Sequence, residues 1–482
     1  MRAGSPIAVI AGPVAGAGAL LWTHPCAGAH LGLGADAAWT LALLVWMAIW
    51  WMTQAVPMAA TSLLPVLLLP LLGIGSFKDS AACYADQVIF LFAGGTVLGA
   101  ALERHGLSAR FTAALLRLAG RSPARVVVAL FLAASCISAF VSNTATAAMM
   151  LPLAAGIVAS ATVRAGTPDA RGAAAVRNFG AGAMLAVAYG ATVGGVVTIM
   201  GSPPNAIAAK YLSESGTPVE FVEWLRVGLP VALVFGPLCV GTLLLMLPMH
   251  GVELPAAGRA LDDAGAHRRE RLHLGGWATL AIFTLTVLAW VTAPIWPAGM
   301  RPAGLTDGGI AIAAAIALFT LPGTMRPYRP LLDWSVAREM PWGVFILFGG
   351  GLALAAAMER SGLSAAIGNA FAGLGSLPAP AIVGIVVVSL VFASEIASNT
   401  ALTATAVPIL GALAPSLGLK PQALVIPAAL GASLAFMLPV GTPPNAMAFA
   451  TGRVPSGTMA RVGLVLDLLA AVVVTLLAWL LL

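Results

Sequence analysis

The triplet Ser-Asn-Thr occurs twice inside long apolar runs of this sequence, in Phe140-Val-Ser-Asn-Thr-Ala-Thr-Ala-Ala-Met-Met-Leu-Pro152 and in Ile396-Ala-Ser-Asn-Thr-Ala-Leu-Thr-Ala-Thr-Ala-Val-Pro408. The two copies are 256 positions apart, since Ser142 corresponds to Ser398. Unpaired polar groups cost several kcal/mol each in hydrocarbon, about 2–7 by transfer measurements. The repetition therefore predicts a built binding site.

The composition predicts a polytopic membrane protein. Of 482 residues, 60% are hydrophobic and only 9% are charged, and the mean hydropathy is +0.97. A span needs about 20 apolar residues, and the chain supplies enough for roughly a dozen. The net charge of +6 reports the orientation of loops in such a protein and predicts no nucleic-acid partner.

Two of the apolar runs, 124–163 and 379–416, are about twice too long for one span. Each is either two full spans or a re-entrant hairpin of two half-length helices. Arginines flank both ends of the first run, at Arg104 to Arg125 and at Arg164 to Arg177, so the positive-inside rule puts both ends in the cytoplasm. The run is short for two crossings and a turn, and its centre is polar, which favours the hairpin.

With both runs as hairpins, the chain is an all-α membrane protein of about eleven transmembrane helices plus two re-entrant hairpins. The N-terminus is then cytoplasmic, as is the arginine-rich stretch 250–275, and the protein lies in the plasma (inner) membrane. The predicted divisions are an N-terminal span and outer loop (1–37), a first repeat (38–249), a cytoplasmic linker (250–275) and a second repeat (276–482).

Several motifs recur in the same order in the two halves. Ile89-Phe-Leu-Phe-Ala-Gly-Gly95 matches Phe345-Ile-Leu-Phe-Gly-Gly-Gly351, and Gly201-Ser-Pro-Pro-Asn-Ala206 matches Gly441-Thr-Pro-Pro-Asn-Ala446. Each half carries five spans, which is an odd number, so the copies are inverted relative to each other in the membrane. Inverted repeats with discontinuous helices are the architecture of secondary transporters.

The Gly-Ser/Thr-Pro-Pro-Asn motifs predict broken helices within 179–209 and 422–451. Proline lacks an N–H and clashes with the preceding turn, so two in succession interrupt a helix. The break frees carbonyls that suit a small cation such as Na⁺, and N–H groups that suit an anion. The alternative is that each proline pair is a kink and each Ser-Asn-Thr a helix cap.

Glu395 is the acidic residue that lies deep within an apolar segment, and its counterpart in the first repeat is Ala139. It tunes a cation site, carries a proton, or stiffens the hairpin as a hydrogen-bonded acid. No Lys or Arg falls in a predicted span interior. A bound anion is therefore expected to be compensated by dipoles, hydroxyls, amides and cations bound beside it.

Catalytic and redox signatures are missing from the sequence. It contains no HExxH motif, no Walker loop and no Ser/His pair within the membrane, which argues against an enzyme and against an ATP-driven pump. Cys26 and Cys83 fall on the same predicted outer face, as a disulfide or as two free thiols.

The paired Ser-Asn-Thr and Gly-x-Pro-Pro-Asn motifs resemble those of the divalent anion:sodium symporter family, from about residue 38 to the end of the chain. The resemblance implies a homodimer in which a transport domain moves like an elevator against a fixed scaffold. It also implies site residues, in three sets. One Na⁺ site comprises Ser138, Ser142, Asn143 and Gly201, and a second comprises Ser394, Ala397, Asn399 and Gly441. The substrate carboxylates meet Asn143, Thr144, Asn399, Thr400, Thr442 and Pro443.

These expectations describe a secondary active transporter that uses Na⁺ as its coupling ion. Its substrates would be C4-dicarboxylates such as succinate, malate or fumarate, taken up across the lipid bilayer. The alternatives are a sodium-independent anion exchanger, a citrate or sulfate symporter and, from a different class, an anion channel.

Overall fold

The computed structural model describes residues 6–23, 33–163, 169–255, 272–296, 302, 305–325, 327–370 and 377–482. These residues are mostly helical, which confirms the predicted all-α class. Seven of the described helices are long and apolar enough to cross a membrane, and further apolar helices are shorter. Cys26 and most of the predicted linker, 256–271, lie outside the described residues, so the predictions about them are not addressed.

The helices follow one another with short connections. The first half contains α1 (Pro6–Thr23), α2 (Ala35–Thr53), α3 (Met58–Thr61), α4 (Leu64–Leu71), α5 (Phe77–Ala82), α6 (Gln87–Arg104), α7 (Leu107–Ala119), α8 (Pro123–Ser138), α9 (Asn143–Ala159), α10 (Asp169–Gly195), α11 (Pro203–Glu214) and α12 (Phe221–Met246). The second half contains α13 (Leu274–Thr292), α14 (Asp307–Thr320), α15 (Val336–Glu339), α16 (Trp342–Arg360), α17 (Leu363–Ala370), α18 (Ala379–Ser394), α19 (Asn399–Leu413), α20 (Gln422–Ser433), α21 (Pro443–Ala450) and α22 (Ser456–Leu481), with 3-10 turns at Ala293–Ile295 and Ala414–Leu417.

Both long apolar runs fold as two helices joined by a four-residue turn, α8 with α9 and α18 with α19. Ser142 and Ser398 are the N-caps of the second helix in each pair, and each hydroxyl accepts a hydrogen bond from the backbone N–H three residues later. The helices α8 and α9 have 16 and 17 residues, which is about 24–26 Å of rise and less than the ~30 Å hydrocarbon core. In the second pair, the 3-10 turn extends the apolar helical stretch to Leu417.

The predicted breaks lie at the proline pairs. Pro203 and Pro204 open α11, and Pro443 and Pro444 open α21, where the missing N–H groups would have no helical acceptor in any case. A third break was not predicted, because the apolar run 58–75 reads as one span. It forms α3 and α4 instead. Pro65 lies at the start of α4, and its missing N–H interrupts the hydrogen-bond ladder there.

The two broken helices cross in opposite directions. The first half of one, α10, contacts the second half of the other, α21, while α11 contacts α20. The hairpins follow the same rule, since α9 contacts α21 and α19 contacts α11. This exchange is the arrangement expected of inverted repeats. The boundaries given above for the two repeats and the linker stay predictions.

Small strands join loops at two places, a detail that the apolar pattern did not predict. β1 (Thr162–Val163) pairs with β2 (Val252–Glu253), and β3 (Pro322–Met325) forms a hairpin with β4 (Tyr328–Pro330). The first pairing brings the end of the first hairpin beside the start of the predicted linker. Both segments therefore lie on the same side of the molecule, as the predicted topology requires.

The repeated glycine motifs allow helices to approach closely. A Cβ at Gly94 of α6 would lie 2.7 Å from the carbonyl carbon of Ala311 in α14, and one at Gly350 of α16 would lie 2.3 Å from the carbonyl oxygen of Ser62. Small residues at helix contacts are the usual way for membrane helices to pack. The motifs therefore serve packing, and they hold α6 and α16 beside the site.

Candidate functional site

The two hairpin turns and the two helix breaks meet around one cavity of about 900 Å³. Each Ser-Asn-Thr triplet contributes all three of its residues to the wall, and each Gly-Ser/Thr-Pro-Pro sequence contributes all four. The helices α2, α6, α15 and α16 also line the cavity, through residues such as Phe92 and Val344. Four polar turns that are far apart in sequence are thus neighbours.

Most of the predicted site residues lie at this cavity. Ten of them line it, namely Ser142, Asn143, Thr144, Gly201, Ala397, Asn399, Thr400, Gly441, Thr442 and Pro443. The other two, Ser138 and Ser394, are fully buried at the ends of α8 and α18, behind the wall. The structure brings the predicted set together, while the roles of its members stay predictions.

Asn143 joins the first hairpin to the first helix break. In the orientation that satisfies its amide, its nitrogen donates to Ala191 O at 3.1 Å and to Gly201 O at 3.2 Å, and lies 2.6 Å from Ser138 Oγ. A Cβ at Gly195 would lie 2.3–2.9 Å from the atoms of the Asn143 side-chain amide, so only glycine leaves room for the asparagine. Three members of the predicted first Na⁺ site are therefore in direct contact.

The predicted second Na⁺ site differs from the predicted first Na⁺ site in one respect that favours binding of a cation. The Oδ1 atom of Asn399 is buried and has no hydrogen-bond partner. Ser394 Oγ donates its proton to Val391 O at 2.7 Å, which leaves the lone pairs of the hydroxyl oxygen available. An unpartnered amide oxygen is a suitable ligand for a hard cation.

Comparison with known proteins identifies the family. A family model described as the sodium:sulfate symporter transmembrane region matches residues 21–482. The chain belongs to this symporter family. The finding confirms the resemblance drawn from the motifs, and because members of the family are transporters, it also confirms that the chain is not an enzyme.

Individual relatives agree with the family assignment. Proteins from Staphylococcus aureus strains bovine RF122 / ET3-1 and MSSA476, both named sodium-dependent dicarboxylate transporter SdcS, are each 34% identical over 485 residues, which cover 99% of this chain and 91% of the relative. The solved structure of the Alcanivorax borkumensis YdaH transporter, reported to have an unusual topology, aligns with a TM-score of 0.53. It covers 92% of this chain and 97% of that one, and at 17% identity the likeness concerns the fold alone.

The sequence analysis gave no role to Asn205 and Asn445, the two asparagines in the Gly-x-Pro-Pro-Asn motifs of this symporter-family protein. Asn205 Nδ2 donates to the carbonyls of Gly195 and Thr198, both at 2.8 Å. Asn445 Nδ2 donates in the same way to Ala435 at 3.1 Å and to Leu438 at 3.3 Å. Each asparagine pairs carbonyls that the helix break has freed. Its presence in both copies of Gly-x-Pro-Pro-Asn was the signal that could have predicted this role.

Glu395 is 1% exposed, and its carboxylate accepts hydrogen bonds from Met437 N at 2.7 Å and Leu438 N at 2.6 Å. Glu395 is therefore a hydrogen-bonded acid, while its predicted roles in a cation site and in proton transfer stay predictions. The sequence analysis missed its neighbour Asp467, which is fully buried and accepts from Phe436 N at 3.1 Å. Asp467 lies within the final apolar segment and has no motif around it.

The charged side chains that line the cavity are acidic. Glu103 and Glu339 line the cavity, and no Lys, Arg or His of the described residues lines it. Behind Glu103, Arg104 forms a 2.7 Å ion pair with Asp333 in an exposed loop. Hydrogen bonds from Ser335, together with Arg104, lower the pKa of Asp333 below its usual range. An anion in the cavity would therefore meet polar groups and two acidic residues but no cationic side chain of the described part of the chain.

Proposed function

We propose that this protein couples inward movement of Na⁺ to the uptake of C4-dicarboxylates such as succinate, malate and fumarate. The observation that carries the proposal is the convergence of four polar turns on one cavity whose described lining has no cationic side chain. A dianion in such a site needs compensation by cations that bind beside it. The name of the SdcS relatives supports the same pairing of Na⁺ and dicarboxylate.

In this proposal Na⁺ is a co-substrate that binds at two places. Ser138, Ser142, Asn143 and Gly201 form the first site, and Ser394, Ala397, Asn399 and Gly441 form the second. The unpartnered Oδ1 of Asn399 is the feature of the second site that fits an ion. Asn143, Thr144, Asn399, Thr400, Thr442 and Pro443 contact the substrate carboxylates through hydroxyl, amide and backbone groups.

The number of Na⁺ ions determines whether transport carries current. Two Na⁺ ions neutralise a dicarboxylate dianion, and a third makes each cycle electrogenic. Each net charge that crosses then contributes about 2.3 kcal/mol per 100 mV of membrane potential. The cycle proceeds by elevator movement of a transport domain within a homodimer, in the plasma membrane and with a cytoplasmic N-terminus.

The test is uptake of radiolabelled succinate into proteoliposomes, with an inward Na⁺ gradient or a K⁺ control, each with and without succinate inside. Uptake that requires external Na⁺ and needs no internal succinate supports the symporter. Uptake that is independent of external Na⁺ but requires internal succinate supports an exchanger instead. Uptake of labelled sulfate or citrate in place of succinate would assign the same coupling to a different anion, and single-channel currents would indicate a channel.

A further inference from the structure

The two hairpins are joined to their broken helices by chemically different contacts. In the first repeat, the hydroxyl of Thr198 donates to the carbonyl of Ala139 at the hairpin turn and accepts from Gly201 N at 3.2 Å. All of these groups are neutral. By the repeat offsets, Ala139 corresponds to Glu395 and Thr198 corresponds to Leu438, which has no hydroxyl. The second repeat therefore needs another connection.

That connection is a carboxylate that the hairpin supplies to the broken helix. The two oxygens of Glu395 accept from Met437 N and Leu438 N, which are consecutive backbone N–H groups. Asp467 accepts from Phe436 N, which is the N–H group immediately before these two in the chain. The side chain of Asp467 also interacts with that of Glu395. Three successive N–H groups are thus paired by two acidic residues that come from α22 and from the turn after α18.

The backbone explains why these carboxylates are present. The helix α10 continues to Gly195, and just beyond it Val197 N still bonds to Gly194 O at 3.1 Å. The helix α20 ends earlier, at Ser433, which corresponds to Val193. The N–H groups of 436–438 consequently leave the helical ladder within a buried region, where unpaired donors are costly.

The carboxylate is next to the predicted second Na⁺ site and has no counterpart at the first. A Cβ at Gly441 would lie 2.9 Å from Glu395 Oε2, so the carboxylate touches the turn that supplies Gly441. Asp467 and Tyr189 are ionisable groups near Glu395, and neither is cationic. The field of the carboxylate therefore acts on the second site from close range.

We propose that Glu395 is the positioning residue of the second Na⁺ site. It holds loop 434–441 against the second hairpin, and it places a negative charge behind the oxygens of Asn399 and Gly441. This inference rests on the proposed Na⁺ coupling. It makes the two Na⁺ sites unequal. Na⁺ binding at the second site depends more strongly on a charge that does not itself contact the ion.

The test compares Glu395→Gln with wild type as purified full-length protein and in proteoliposomes. Glutamine keeps the size of the side chain but loses the charge and one acceptor oxygen. We expect the half-saturating Na⁺ concentration for succinate uptake to rise about tenfold or more, and stabilisation of the purified protein by Na⁺ alone to need correspondingly more salt. The KM for succinate at saturating Na⁺ is expected to stay within about twofold.

Two further variants separate charge from folding. Asp79→Asn makes the same carboxyl-to-amide change at an exposed helix cap and is expected to leave the Na⁺ dependence unchanged. Glu395→Asp keeps the charge on a shorter side chain and is expected to recover most of the Na⁺ affinity that Glu395→Gln loses. If Glu395→Gln does not fold, Glu395→Asp still allows the Na⁺ dependence to be measured. A half-saturating Na⁺ concentration in Glu395→Asp as high as that expected for Glu395→Gln would then overturn the role of the charge.

Failure of this inference can be distinguished from failure of the proposed Na⁺ coupling. A wild-type Na⁺ curve for Glu395→Gln, or a rise in succinate KM equal to its rise in half-saturating Na⁺, overturns the role of Glu395 and leaves Na⁺ coupling intact. Wild-type protein that transports succinate without Na⁺ and gains no stability from it overturns the coupling, and with it this inference.

Discussion

Asn143 and Asn399 occupy matched positions but have different hydrogen-bond environments. The amide of Asn143 is engaged with Ser138, Ala191 and Gly201, whereas the Oδ1 atom of Asn399 has no partner. A buried acceptor without a partner costs free energy unless a ligand completes it. At the scale of single residues, the second triplet is therefore the one with an unpartnered buried acceptor.

We expect Asn143→Ala and Asn399→Ala each to reduce succinate uptake to background while the protein remains folded. Each change removes an amide that contacts both an ion and the substrate in the proposed sites. The measurement is uptake in proteoliposomes, with elution on gel filtration as the check on folding. Uptake at the wild-type rate in both variants would contradict the site assignment.

Thr400→Ala is expected to raise the KM for succinate more than the half-saturating Na⁺ concentration, because the Thr400 hydroxyl is assigned to the substrate and to neither ion set. Both constants come from uptake curves at varied succinate and varied Na⁺. Equal increases would indicate a shared structural role of the side chain instead.

At the scale of secondary-structure elements, the helix breaks are stabilised by the asparagine side chain that follows each proline pair. Asn445 supplies hydrogen bonds to two carbonyls of the loop between α20 and α21, and Asn205 does the same between α10 and α11. Proline pairs predict where such a helix is interrupted, but the freed carbonyls still need donors within the protein. A break is therefore a fixed structure with its own hydrogen bonds.

Asn445→Ala is expected to lower the free energy of unfolding by about 2–6 kcal/mol, since two buried carbonyls lose their donor at about 1–3 kcal/mol each. Thermal unfolding of the purified protein, followed by tryptophan fluorescence, measures the effect. Asn178→Ala is the matched control, because Asn178 donates to Pro248 O at an exposed position. An equal loss of stability in both variants would contradict the role of Asn445.

For the whole molecule, the important feature is the side on which the cavity opens. From the triplets, its lining continues to Gln54 after α2, to Glu103 near the end of α6 and to Glu339 at the end of α15. All three residues are at the predicted cytoplasmic ends of their segments. On that topology we expect the cavity to open to the cytoplasm, as in an inward-facing state.

A cysteine at Gln54, in a background without the four native cysteines, is expected to react with a membrane-impermeant thiol reagent applied from the cytoplasmic side. Succinate with Na⁺ is expected to slow the reaction because both occupy the cavity. Asp79→Cys, at the predicted outer surface, serves as the control that reacts only from outside. The opposite sidedness in both variants would reverse the predicted orientation.

The sequence by itself determined the class, the repeats and the main interruptions of this protein. Apolar runs too long for one span, with Ser-Asn-Thr at their centres and Pro-Pro pairs in matched segments, were sufficient because caps and prolines act on the backbone locally. The predicted site residues came from the family resemblance that these motifs carry, and ten of the twelve line one cavity.

Only the tertiary structure decided which polar groups satisfy one another. Asp467 has no local signature, yet it lies beside Glu395, which is 72 positions earlier in the chain. The role of Thr198, whose hydroxyl donates to Ala139 O 59 positions earlier, likewise depends on the surrounding packing. Hydrogen bonds in a membrane interior must be completed by whichever groups the fold brings near, and that choice is not local in sequence.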